Sequence, residues 1–134
     1  RIRCKPLVIS WLLQHLLPRS RVIVRRQHNF GLYAQLLSNL PGSRLLAALP
    51  AKPVAPYVFP LWVEDANRVY QALRQQGIAV FRWDQIWPGT PCSAQDIGPD
   101  WSHHVLQLLC HQDLCETDIR RSAQCVQRLL EGAD

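Results

Sequence analysis

Three places in this chain group residues that could do chemistry. His103 and His104 are adjacent, Cys110 and His111 are adjacent, and Arg82, Trp83 and Asp84 run in sequence. Imidazole titrates near neutral pH and can move a proton or hold a ligand. A cysteine beside a histidine suggests a thiolate nucleophile with its base. On a strand, however, adjacent side chains point to opposite faces, so Cys110 and His111 cannot serve each other there. A guanidinium beside an indole can hold an anionic substrate, with Arg82 meeting the charge and Trp83 forming a wall. An Arg82–Asp84 surface pair beside a half-buried Trp83 explains the same residues without a ligand. Ordinary hydrogen-bonded histidines explain the others.

Other chemistries find no foothold. The chain has no Gly-rich phosphate loop, no G-x-S-x-G and no H-E-x-x-H. Its only lysines are Lys5, near the start, and Lys52, in a Pro-rich run. Neither has the apolar setting of a Schiff-base lysine. The five cysteines, Cys4, Cys92, Cys110, Cys115 and Cys125, are odd in number and form no C-x-x-C pair. Reduced thiols of a cytoplasmic protein are expected, and no metal site.

At 134 residues and 48% hydrophobic content, the chain is one domain, with or without an appended arm. All ten acids lie at or after Glu64, whereas nine basic residues and no acid precede it, so the first half is strongly positive. A nucleic-acid surface is one meaning of that charge. No aromatic-interleaved basic motif accompanies it, so packing of an Arg-rich helix on a protein surface is the plainer meaning. No apolar run reaches membrane-spanning length. Residues 7–17 faintly resemble a signal peptide, but Gln14 and His15 break the apolar run and no small-residue cleavage site follows. The chain contains no methionine. Arg1 is therefore not expected to be an ordinary start, and a longer parent protein is expected.

The elements that must position these residues centre on 55–84. Tyr57–Val63 has the β-branched and aromatic content of a strand. Asp65 or Asn67 can cap a helix carrying Val69, Ala72 and Leu73, and Gly77 can end it. Ile78–Phe81 is a second strand, so the unit is βαβ or split βαβ. Upstream, Arg21–Leu40 predicts a helix, with Ser20 as a cap and Pro41-Gly42 as its stop. Ser43–Leu49 predicts a short edge strand, and Pro50–Pro56 an extended linker. Residues 85–103 predict a long irregular segment. Val105–Cys110 is a third strand, and 116–131 a final helix capped by Asp113 or Thr117. The fold class is α+β: a small, mostly antiparallel sheet of three to four strands with helices on one face. The division expected is a helical arm or connector at 1–42 and the α+β domain at 43–134.

The words of the sequence carry a resemblance. Arg25-Arg26-x-x-Asn29-Phe30 is followed by Tyr33-x-x-Leu36-Leu37 and Leu40-Pro41-Gly42. Then come Ala55-Pro56-Tyr57-Val58-Phe59-Pro60-Leu61 and Leu73-Arg74-x-x-Gly77-Ile78. Arg82-Trp83 and Leu106-x-Leu108-x-Cys110-His111-Gln112-x-Leu114 complete the series. In this order they resemble the C-terminal part of a fold-type I pyridoxal-phosphate aminotransferase of the DegT type, a group that aminates nucleotide-linked keto sugars. The resemblance spans about residues 20–132. Leu109 stands where the family usually has proline, and residues 1–19 match nothing in it.

The resemblance implies a small C-terminal domain that closes over the active site and helps hold substrate. It implies substrate-side roles for Arg82, Trp83, His111 and Gln112, at strand ends facing the site or its approach. It implies pyridoxal phosphate in the full-length enzyme, a missing N-terminal cofactor-binding domain as partner, and a homodimer. No catalytic, cofactor or metal residue carries over to this chain, which is expected to hold no cofactor and to be incompetent alone. A membrane is not expected as a partner. The alternative is a free-standing module of the same fold that docks on a protein or, as the less expected partner, a nucleic acid.

Overall fold

The computed structural model describes residues 16, 18–48, 54–83 and 86–132. Most of the apolar segment at 7–17 lies outside them, as do Cys4, Lys5, Lys52, Asp84 and much of the Pro-rich linker.

Helix α1 runs Arg19–Leu36. It ends earlier than the sequence pattern predicts. Leu40 precedes Pro41, which disfavours helical backbone there. Asn39 turns left-handed at φ 60, and Gly42 does so at φ 62. Pro18, not Ser20, occupies the N-terminal boundary, and Ser20 lies inside the helix. The apolar stripe sets in only halfway along, with Phe30, Leu32, Tyr33 and Leu37 in the core.

Strand β1 (Ser43–Leu45) is an edge strand beside β2 (Val58–Val63). Pro60 explains why β1 is short. Cys110 N–H donates to Tyr57 O and Glu64 N–H donates to Gly42 O, so odd residues of β2 face β4 and even ones face β1. The N–H that Pro60 lacks falls on the β1 side, beyond Leu45, whose partner is Leu61.

Helix α2 (Ala66–Gln75) begins at Asp65, whose carboxylate accepts from Arg68 N at 3.3 Å. Gly77, left-handed at φ 74, closes it. Strand β3 (Val80–Arg82) follows. Helix α3 (Gly98–His104) falls inside the segment predicted to be irregular. Seven residues with none buried leave no apolar period to see. Its local signals are Pro99 in the first turn and Asp96, whose carboxylate accepts from Gly98 N at 2.9 Å. Strand β4 (Val105–Leu109) and helix α4 (Glu116–Glu131) complete the chain. Neither Asp113 nor Thr117 caps α4. Cys115 does, with its backbone N–H and thiol both bonded to the Asp118 carboxylate at 2.9 and 2.8 Å.

The sheet order is β1-β2-β4-β3, and every neighbouring pair is antiparallel. Strands β2 and β3 are therefore parallel, with β4 inserted between them: a split βαβ unit. Phe59, Leu61 and Val63 alternate into the core with Val80, Leu106 and Leu108. Val69 and Leu73 of α2 and Ile119, Ala123 and Val126 of α4 close over them. On the other face Val58, Pro60, Trp62, Phe81, Gln107 and Leu109 remain half-buried or exposed. Among the described residues no helix is long and apolar enough to cross a membrane.

Candidate functional site

Arg82 ends β3, and its guanidinium holds α3 in place. Nη2 donates to the carbonyls of Ser102 (3.1 Å) and His103 (2.7 Å), and Nη1 donates to Asn67 Oδ1 at 3.4 Å. A cation at the last carbonyls of a helix also meets the negative end of its dipole. Nε is buried without an acceptor. Trp83 N–H donates to Val105 O at 3.2 Å, and its indole meets Trp101 edge-on at 5.3 Å. A cleft of about 730 Å³ opens here, lined by Asn67, Tyr70, Gln71, Arg82, Trp83, Ile86, Ser102 and His103. Among the described residues no carboxylate lines it.

His111 and Gln112 lie past the other end of β4. Arg26 Nε donates to Gln112 Oε1 at 2.8 Å, which turns the Gln112 amide nitrogen, 3.1 Å away, towards His111 Nε2. Nδ1 of the same ring lies 3.4 Å from Asp113 Oδ2 and 3.5 Å from Asp113 N. Both ring nitrogens of His111 are thus engaged. Buried Asn29 donates to His111 O at 2.9 Å, and Arg25 donates to the Gln112 and Leu114 carbonyls at 3.4 and 3.3 Å. Tyr57 packs edge-on against His111 and beneath the Arg26 guanidinium.

The structure brings together each of these pairs but not the two pairs. Arg82 sits opposite Leu106, and His111 lies five residues further along. At strand rise that is about 16 Å. A compact ligand touching one pair does not reach the other.

The remaining candidates have structural work. Cys110 is fully buried, its thiol pushed up to about 12 by burial, and it is no nucleophile. His104 stacks on Trp62 at 4.6 Å. Its Nδ1 lies 3.1 Å from both Val63 O and Glu64 O, so that nitrogen carries the proton. Trp62 is covered from its other neighbour by Arg44, 4.5 Å from the ring centroid, and its Nε1 donates to Asp100 at 3.0 Å. Among the described residues no group of three or more His, Cys, Asp or Glu converges as a metal site would require.

Sequence reasoning missed Asn67, Tyr70 and Gln71 at the cleft and Arg25, Arg26, Asn29 and Tyr57 at the far end as neighbours of the candidates. The spacing Arg25, Arg26, Asn29 on one helix face was the available signal. What they touch depends on where α1 crosses the β4–α4 turn.

No protein-family model and no curated protein sequence matches the chain. Solved structures do. DesV from S. venezuelae, in complex with a ketimine intermediate, superposes with a TM-score of 0.73 at 21% identity, over 95% of this chain and 36% of that one. The chain has the fold of an aminotransferase small domain. TlmJ, an aminotransferase from Streptoalloteichus hindustanus, gives 0.70 at 20% identity, over 92% of this chain and 35% of that one. A DegT DnrJ EryC1 StrS aminotransferase from Brucella abortus gives 0.65 at 14%, over 81% and 31%. The chain thus spans about a third of the length of the aminotransferases it matches. It resembles the C-terminal part of sugar aminotransferases.

Pyridoxal phosphate does not fit the residues described. They include no lysine to form an imine, and the described lining of the cleft at Arg82 offers no carboxylate for a pyridine nitrogen.

Proposed function

We propose that this chain serves as the C-terminal small domain of a pyridoxal-phosphate-dependent, sugar-aminotransferase-like protein. It closes over an active site whose cofactor and catalytic lysine belong to a separate large domain. One observation carries the reading: the likeness to DesV takes in 95% of this chain but only 36% of that one. The uncovered face of the sheet, with Pro60, Trp62 and Phe81, supports it as the surface such a domain would turn to a partner. Arg82 and Trp83 at one end, or His111 and Gln112 at the other, contact the substrate or line its approach. The open cleft favours the Arg82 end. The reading carries with it a homodimeric, cytoplasmic enzyme, with 1–42 as the connector between domains. The core residues of α1 make that connector part of the small domain's own packing.

Docking of the basic helix on nucleic acid has less to work with. Arg25 and Arg26 are bonded to the Gln112 and Leu114 region.

The test is the reading frame upstream of Arg1 together with a cofactor titration. An open frame of roughly 250 codons, the room a large domain needs, with a lysine in a Ser-rich loop after a strand supports the reading. The 134-residue chain should then give no stoichiometric imine absorbance with pyridoxal phosphate. A stop codon close upstream, or tight binding of the cofactor by the chain alone, overturns it.

A further inference from the structure

Next to the 730 Å³ cleft lies a second one of about 290 Å³, lined by Trp83, Ile86, Trp87, Thr90, Cys92, Asp96 and Gly98. The two share Trp83 and Ile86, so they form one groove with Trp83 as the partition. Their chemistry differs. The first compartment is cationic and amide-rich. The second is mostly apolar, with Asp96 its one described acid, and Trp87 and Ile97 beside it are 80% and 61% exposed.

Arg82 gives the first compartment its preference. A guanidinium has five N–H donors. Ser102 O, His103 O and Asn67 Oδ1 take three of them, and no carboxylate among the described residues forms an ion pair with Arg82. One Nη1 hydrogen is left for an outside acceptor. Asp100, the acid nearest in sequence to the cleft's His103, is occupied by Arg44 and Trp62. An anion entering the first compartment therefore meets positive charge with no acid among the described residues of its walls to oppose it.

The second compartment decides the size of the partner. A pocket for a small molecule encloses it. Here the aromatic wall stands largely in water, and three tryptophans, Trp83, Trp87 and Trp101, lie within one groove region. Tryptophan and arginine are the residues that most often anchor protein interfaces, and a clustered exposed apolar patch is uncommon on a monomer.

We propose that this groove docks a segment of another protein that carries an apolar side chain and a carboxylate a few residues apart. The apolar side chain lies against Trp87 and Ile97. The carboxylate crosses Trp83 and is met by Arg82 Nη1. The proposal rests on the surface of this chain and goes beyond the aminotransferase reading. It shares Arg82 and Trp83 with that reading and stands without it.

The experiment is selection of a random phage-displayed peptide library on the full chain, followed by affinity measurement of the enriched peptide made synthetically. Enriched sequences should share an aliphatic or aromatic residue with Asp or Glu two to four positions away. Trp87→Ala, at a site too exposed to disturb folding, should weaken the synthetic peptide about tenfold or more. Exchanging the peptide's acid for its amide should weaken binding to the unaltered chain and make little difference to Arg82→Gln. The peptide exchange alone tests the charge contact should Arg82→Gln release α3. No enrichment, enrichment without an acid, or equal binding to Trp87→Ala overturns the proposal. So does Trp87-dependent binding to neutral lipid vesicles without any selected peptide, which would make the patch a membrane contact. None of these outcomes bears on the upstream frame, so the two readings fail separately.

Discussion

The side-chain amide of Asn29 donates to the carbonyl oxygen of His111 at 2.9 Å, from a position 1% exposed. This bond ties the middle of α1 to the turn between β4 and α4, 82 residues away in sequence. A second, longer bond to Leu114 O reinforces it. Asn29→Leu removes that buried donor, leaving His111 O with Leu114 N and Leu114 O with Arg25. The expected loss is about 1–3 kcal/mol, read as a shift of the urea midpoint with the slope unchanged. An unchanged midpoint would show that water reaches the turn.

Gly77 should resist substitution for a backbone reason alone. A Cβ there meets nothing within 4 Å, yet φ is +74. Gly77→Ala is expected to cost about 1–2 kcal/mol, and Gly77→Asn less, because asparagine tolerates the left-handed region better. Thermal melts of the two variants side by side check the order.

Cys115 holds the N-cap position of α4, and both its backbone N–H and its thiol donate to the Asp118 carboxylate. Cys115→Ser keeps a small acceptor and donor beside Asp118 and should leave stability nearly unchanged. Cys115→Ala should lose about 1 kcal/mol. The Arg120 guanidinium holds the Glu116 carboxyl below its usual range, and the bonds from Cys115 do the same for Asp118. Their contribution is present at neutral pH and fades as pH falls. Melts of the Cys115 variants at neutral and acid pH test this: the gap between them should narrow on acidification.

Burial raises the Cys110 thiol from 9.0 to about 12 and the Tyr33 hydroxyl from 10.0 to about 12. Above pH 9 the unfolded chain gives up these protons while the folded chain keeps them. The unfolded state then binds fewer protons, so stability falls as pH rises from about 9 to about 12. Cys110→Ala should be less stable at neutral pH but lose less between pH 8 and 11 than the parent does. Parallel slopes for the two proteins would sink the assignment.

Much of the architecture was legible because it is written locally. The β-branched and aromatic run of β2, the cap at Asp65 (one of two candidates), the stop at Gly77 and the apolar spacing of α4 each lie within one element, and each appears where the sequence puts it. Helix α3 was not legible, since seven half-exposed residues bury nothing and leave no stripe to read. The cap of α4 was misread because aspartate and threonine outrank cysteine as caps, whereas here the bond to Asp118 decides.

The site divides in the same way. Sequence alone singled out the candidates for holding a ligand: Arg82 with Trp83, and His111 with Gln112. It also determined the α+β order of elements, because hydrophobic period and turn chemistry act over a few residues. Only the tertiary structure decided that β4 holds the two pairs at opposite ends, and that Arg25, Arg26 and Asn29 fasten α1 to the His111 turn. It also decided that Arg82 secures α3 while facing a cleft with no acid among its described residues. Those outcomes depend on contacts between residues 15 to 89 positions apart. No local pattern encodes such contacts, because they are set by how the sheet and helices pack.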